Sequence, residues 1–423
     1  MKSIVRSDFN SNVVKLILGT GLAQVFPLAL MPILTRIYSP EDFGVFAVYM
    51  ALAGILAVIA TGRYELAIVL PDTTKEASDI FWFCIVISIG VSVISSLMLL
   101  FANDMFVQYL DLPKETTILY LIPISIFFSG VLQSLNYYYV TNKLFGNLSV
   151  SKVVMSSGSV STQAIIGVAS NASGYGLTFG YLFGQISSVL YLVLKTKKLV
   201  KIHRTTFQNI QSVARKYIKY PIMSAPAALL DTAALQLPLL IINKVYATSI
   251  AGQFSLAIRI INLPLALIGA AISQVLLQKM ASSDHENPEE ITRIVLILAL
   301  KLALLISPLC VISFFYGEEI FVLIFSEDWR IAGSFAFPLS LIISFRFIVS
   351  PLSSVLSVQR NLKYGVFWQV GYFLATLISL FYASQFSVEK FLFIFVLNEF
   401  FLYLIYFLLI IKGTKSYRYS HEI

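Results

Sequence analysis

The chain is short of charge. Asp, Glu, Lys and Arg make up 12% of its 423 residues while 58% are hydrophobic, and a soluble globular chain carries about twice that charge, roughly 25%. With a mean hydropathy of +0.83, more apolar side chain is present than a soluble fold can put inside. Cysteine is nearly missing: Cys84 and Cys310 both sit within apolar runs, which excludes a disulfide framework and reads as two small buried hydrophobes. Histidine is almost as scarce. His203, His285 and His421 lie in polar connections or the tail and no H-E-x-x-H occurs, so zinc-dependent hydrolysis has no ligand set. Nor is there a G-x-x-x-x-G-K-[ST], which excludes ATP hydrolysis within this chain. No metal and no cofactor are expected, and no connection is long enough to hold a soluble domain.

What is there instead is a succession of apolar runs, each long enough to cross a hydrocarbon core of roughly 30 Å as a helix. Twelve spans are predicted, at about 13 to 35, 44 to 70, 79 to 101, 117 to 140, 148 to 169, 174 to 194, 219 to 243, 251 to 278, 292 to 316, 334 to 358, 365 to 384 and 391 to 411. The opening MKSIVRSDFNSN leads into a run too long for a signal-peptide core and without a small-residue cleavage site, so a retained N-terminus is expected. Basic loops stay in the cytoplasm, and the connection between spans six and seven carries Lys195, Lys197, Lys198, Lys201, Arg204, Arg215, Lys216 and Lys219. With that loop inside, both termini are cytoplasmic. The net charge of +8 is then largely the positive-inside signal, and no nucleic acid partner is expected.

Compared with itself, the sequence shows one pattern twice. TRIYSPEDFGVF (35 to 46) aligns with NKVYATSIAGQF (243 to 254), matching Arg36 with Lys244, Tyr38 with Tyr246, Gly44 with Gly252 and Phe46 with Phe254; Asn142, Phe145 and Gly146 pair in the same order with Asn361, Tyr364 and Gly365. The expectation is an all-α integral membrane protein of two pseudo-symmetric six-helix bundles. An N-terminal lobe would cover 1 to 194, a basic cytoplasmic linker 195 to 218 and a C-terminal lobe 219 to 423. Two such lobes would be related by an axis along the membrane normal, the arrangement that lets one rock against the other around a central cavity. The linker segment TFQNIQSVARKYIKY suits the inner leaflet, where Lys and Arg meet anionic lipid headgroups.

A charge inside the membrane costs several kcal/mol unless it is paired or hydrated. Lys15 and Lys152 fall near span ends, within snorkelling reach of the interface. Arg63 and Glu65, in TGRYELAIV, stand two apart and would not share a helix face, so separate partners are expected. Counting about 1.5 Å per residue from the nearer helix end, Asp231, Lys301, Arg346 and Glu399 lie at roughly 14 to 18 Å and Arg259 at about 10 Å. These must line a hydrated cavity or pair across helices. An unpaired cation in a polar cavity suits an anionic substrate, and arginine binds phosphate oxygens two at a time. The candidate cavity cations are Arg259, Arg346, Lys301 and Arg63. The carboxylates Asp231, Glu399 and Glu65 are candidates for ion coupling or for salt bridges, and both readings stay open.

LILGTGLAQVFPLALMPILTRIYSPEDFGVFAVYMALAGILAVIATGRYELAIVLPDTTKEA (16 to 77) resembles the start of bacterial polysaccharide transporters, the Wzx-type O-antigen and capsule flippases of the MOP superfamily. The segments that carry the likeness are R-x-Y-[ST]-P-E-D-F-G and R-Y-E-L-A-I-V-L-P, and it extends more weakly through LQSLNYYYVTNKLFGNLSVSKV (132 to 153). The resemblance implies a MATE-like, twelve-helix transporter in the bacterial cytoplasmic membrane that moves an undecaprenyl-pyrophosphate-linked oligosaccharide between leaflets, beside a polysaccharide polymerase and a chain-length regulator. Related flippases of lipid-linked precursors use cavity arginines in spans two and eight, where this chain has Arg63 and Arg259. Many members carry an arginine where this chain has Lys143. No enzymatic activity is expected. Two other readings remain: a cation-coupled small-molecule exporter of the related multidrug type, with Asp231 or Glu399 as the coupling carboxylate, and a membrane glycosyltransferase or polymerase using Glu41, Asp42 or Asp328.

Overall fold

The computed structural model describes residues 21, 23–112, 117–169, 173–199, 202–203, 205–282, 288–353 and 362–415. Among them there is no strand, and helix occupies each of the twelve predicted span positions. The expectations for Lys15, Lys201, Arg204, His285, His421 and Asn361 lie outside the described residues. The helices are α1 (Ala23–Ile37), α2 (Pro40–Ala57), α3 (Thr74–Tyr109), α4 (Ile122–Thr141), α5 (Phe145–Ala169), α6 (Gly174–Leu199), α7 (Phe207–Lys216), α8 (Ala225–Val245), α9 (Thr248–Ser282), α10 (Pro288–Phe325), α11 (Arg330–Ser334), α12 (Ala336–Val349), α13 (Leu362–Ala383) and α14 (Val388–Lys415). Eight of the described segments are long and apolar enough to cross a membrane. Their outward faces are apolar, as at Phe101, Leu323 and Ile378, which in water would be a continuous sticky surface and in lipid is the normal one. The chain is a multi-pass membrane protein.

The chain divides into two compact units, Met1–Gly252 and Gln253–Ile423. In the first, the SPED motif starts α2: Ser39 Oγ accepts from the Asp42 amide at 3.2 Å and Asp42 Oδ2 accepts from the Ser39 amide at 3.0 Å, a reciprocal cap that satisfies two helix-end donors. The α5 and α6 helices pack closely because α6 presents small residues. A Cβ on Gly180 would lie 2.8 Å from the Ser159 carbonyl oxygen, so only hydrogen fits. The two halves of the sequence repeat also meet here. A Cβ on Gly44 would collide with the Thr248 carbonyl, and one on Gly252 with the Pro40 carbonyl. Pro40 and Thr248 are themselves repeat-equivalent, so the contact is reciprocal, as at a two-fold axis.

The second span is not one helix. The α2 helix stops at Ala57 and the chain runs through turns to a 3-10 segment, Tyr64–Ala67. Gly62 and Arg63 take positive φ angles of 58° and 62°, a left-handed step that glycine accepts freely and arginine does not. Gln133 of α4 donates to the Ala57 carbonyl at 3.1 Å, on the same oxygen that accepts from the Ala60 amide at 3.3 Å.

In the second unit, α10 packs against α11 and α12, and α14 packs against both α12 and α13. Gln253, at its start, bridges to the α11 region by accepting from the Ala332 amide at 2.9 Å and donating to the Asp328 carbonyl at 2.6 Å. Trp368 of α13 stacks on Tyr406 of α14 with centroids 4.2 Å apart, below Tyr372.

Candidate functional site

The break in the second span places the first pair of charges. Left-handed backbone at Arg63 turns its side chain back toward residue 65, and Arg63 Nη1 lies 3.4 Å from Glu65 Oε1. The expectation of separate partners is therefore corrected: it assumed helical spacing, and the backbone here is not helical. Glu65 is 1% exposed and Arg63 26%. The Thr61 hydroxyl donates to Glu65 Oε2, while Glu65 Oε1 and Arg63 Nε have no hydrogen-bond partner.

The second unit builds a larger version. Arg346 of α12 donates from Nε to Glu399 Oε2 of α14 at 2.9 Å and from Nη2 to the Tyr372 hydroxyl of α13 at 3.0 Å, and Tyr372 donates to Glu399 Oε1 at 2.7 Å. Three helices thus converge on a closed ring of three polar groups. Glu399 is completely buried and Arg346 keeps 18% exposure. That residue opens onto a cavity of about 310 Å³ lined also by Asn262, Ser273 and Ser350, with Phe347 and Pro351 as apolar walls. A guanidinium has more N–H groups than these two bonds use, so Arg346 can serve both the ring and the cavity.

Of the seven charged residues singled out in the sequence, the structure joins Arg63 to Glu65 and Arg346 to Glu399. Arg259 on α9 and Lys301 on α10 are exposed, and Asp231 on α8 is half-buried; none of these three belongs to either pair. Sequence reasoning missed Tyr372 and Thr61. Tyr372 had a signal, since it stands four residues from Trp368 on one helix face, but nothing in one chain marks a tyrosine as a partner of residues far away in sequence. The polar span residues serve helix packing in several places: Gln163 donates to the Leu177 carbonyl at 2.8 Å and Gln185 to Ser129 Oγ at 2.9 Å.

Outside the spans, the amphipathic α7 docks on the first turn of α3. Lys216 donates to Glu76 Oε1 at 2.5 Å and the Tyr217 hydroxyl to the same oxygen at 3.0 Å. That hydrogen bond to the carboxylate pushes the Lys216 ammonium above the ordinary lysine pKa. Tyr64 of the broken span reaches α7 from the other side, donating to the Ala214 carbonyl at 3.0 Å.

Comparison with known proteins gives three findings. Residues 33–333 match the family model Polysacc_synt_3, described as polysaccharide biosynthesis protein. The succinoglycan biosynthesis transport protein ExoT of Rhizobium meliloti (strain 1021) is 22% identical over 353 residues, which cover 80% of this chain and 66%, just under two thirds, of that relative. Among solved structures, an inward-facing multidrug resistance MATE family transporter of the MOP superfamily superposes with a TM-score of 0.70 at 13% identity over 96% of this chain and 95% of that one. A MOP superfamily transporter from Pyrococcus furiosus, described as having a binding pocket of reversed polarity, gives 0.63 at 13% identity over 97% and 96%. At such identities the likeness shows the fold, the all-helical arrangement of twelve helices in two bundles that MATE transporters have.

Proposed function

The chain belongs to the polysaccharide biosynthesis protein family, and from that premise we propose that it is a transporter that flips an undecaprenyl-pyrophosphate-linked oligosaccharide from the inner to the outer leaflet of the bacterial cytoplasmic membrane. The observation that carries the reading is Arg346: an arginine within a membrane span that lines a cavity of about 310 Å³ together with Asn262, Ser273 and Ser350. Such a group has use for an anion, and a planar guanidinium fits two phosphate oxygens at once. Arg63, held at a broken span, is a second arginine of this kind, in the first unit. The glycan meets hydroxyls and amides, the polyprenyl tail stays in lipid, and the protein alternates between inward and outward openings. Membrane lipids surround it, and a polymerase and chain-length regulator consume the exported unit.

A multidrug-type exporter of cationic molecules would need an accessible carboxylate. Glu65 and Glu399 are buried at 1% and 0% exposure and turned toward arginines, which leaves the half-buried Asp231 of α8 as the carboxylate that reading would use. Of the carboxylates an enzyme reading would use, Asp42 is spent on the α2 cap, while Glu41 and Asp328 are exposed and their replacement is the test of that reading. The test is glycan export to the outer leaflet in cells carrying Arg346→Lys, Arg259→Ala or Arg63→Ala, with membrane expression checked. Loss of export with the lipid-linked precursor accumulating inside is the expected result for Arg346→Lys. Wild-type export in all three would sink the cationic-cavity reading.

A further inference from the structure

Arg346 stands between two environments. Toward the protein, it meets Glu399 through Nε alone at 2.9 Å and Tyr372 through Nη2 at 3.0 Å. Toward the cavity, it shares the lining with Asn262, Ser273 and Ser350. The Glu399 side chain has no exposure, the Arg346 side chain has 18%, and Arg346 alone of this pair lines the cavity, so only the arginine is within reach of an arriving ligand. A single-nitrogen contact is also less than a guanidinium can make: a phosphate-type oxyanion can take two parallel N–H bonds. The donor set of one amide and two hydroxyls beside the guanidinium suits the remaining oxygens of such an anion.

We propose that Glu399 is a built-in stand-in for the anionic group of the substrate, exchanged off Arg346 when a phosphate-type oxyanion enters the second unit's cavity. Tyr372 is the positioning residue of this exchange. Its hydroxyl already donates to the other carboxylate oxygen at 2.7 Å, and that bond does not depend on Arg346, so it holds the released carboxylate in place. In the empty protein the same ring keeps the arginine charge neutralised inside the membrane, where an unpaired one is costly. The inference rests on the transport reading for the identity of the arriving anion.

Full-length protein in a maltoside detergent is titrated with inorganic pyrophosphate and, separately, with a short-chain polyprenyl pyrophosphate and with phosphatidylglycerol. Glu399→Gln keeps the shape of the side chain and removes its charge; it is expected to tighten pyrophosphate binding about tenfold, the scale of one competing charge at such a site. Arg346→Lys, which loses the planar fork, is expected to weaken binding by a similar factor. Tyr372→Phe is expected to weaken binding more in the wild-type background than in the Glu399→Gln background, because its bond to Arg346 is lost in both but a charged carboxylate is left unheld only in the first. A merely structural tyrosine would act equally in both. Should Glu399→Gln fail to fold, Glu399→Asp draws the charge back by one methylene and is expected to give a smaller gain. Unchanged affinity in folded Glu399→Gln overturns the exchange and makes the pair a brace between α12 and α14. Phosphatidylglycerol binding as tightly as polyprenyl pyrophosphate assigns the cavity to lipid headgroups and overturns the substrate assignment. Failure of all three ligands to bind any variant overturns the inference alone, since glycan export in cells judges the transport reading separately.

Discussion

At the scale of single residues, both units place a carboxylate in the interior and its arginine at an edge, with a hydroxyl on the carboxylate: Thr61 on Glu65 and Tyr372 on Glu399. The asymmetry of exposure, 1% against 26% and 0% against 18%, sets what mutation does. Removing the arginine strands a charge, whereas removing the carboxylate leaves a cation with a route to water or ligand. Arg346→Ala is therefore expected to cost stability, about 3 kcal/mol on the scale of broken buried pairs, and Glu399→Gln distinctly less. Thermal unfolding in detergent checks the order, and an equal loss in both would show that exposure is not what separates the partners. These residues were legible as charges in spans. Their pairing was not, because residue 346 and residue 399 meet only through the packing of α12 on α14, and residues 63 and 65 only through a left-handed step that a hydrophobic run does not announce.

At the scale of elements, two devices depend on local backbone. The reciprocal approach of Gly44 to the Thr248 carbonyl and of Gly252 to the Pro40 carbonyl leaves no room for a methyl group. Gly44→Val is expected to force the α2 and α9 ends apart at a cost of about 1–3 kcal/mol, seen as a lowered melting temperature; a neutral result would mean the two helix starts can separate freely. The α7 helix is the second device. Since its Lys216 has a pKa raised by Glu76, the pair supports docking at neutral pH, where both partners are charged, and is lost as pH rises through the raised value. Amide exchange in residues 207–216 should quicken at high pH, and Glu76→Gln should produce the same quickening at neutral pH. The amphipathic pattern of that segment was plain from sequence. Its anchor on the first turn of α3 was not, because it requires α3 to begin at Thr74, ahead of the apolar run, and residue 216 to fold back onto residue 76.

At the scale of the molecule, the chain belongs to the polysaccharide biosynthesis protein family and has a MATE-like fold, and glycan export with the three arginine variants is the measurement that tests the proposed transport. What the sequence by itself determined is everything that follows from solvent: scarce charge and long apolar runs force membrane helices, because lipid leaves backbone groups no other way to be satisfied, and a repeated TRIYSPEDFG-like segment forces two related halves. The tertiary structure alone decided which midplane charges neutralise each other, where the second span breaks, and which arginine faces a cavity. Those outcomes depend on distances between residues far apart in the chain and on left-handed backbone at two positions, and neither is written in hydrophobic periodicity.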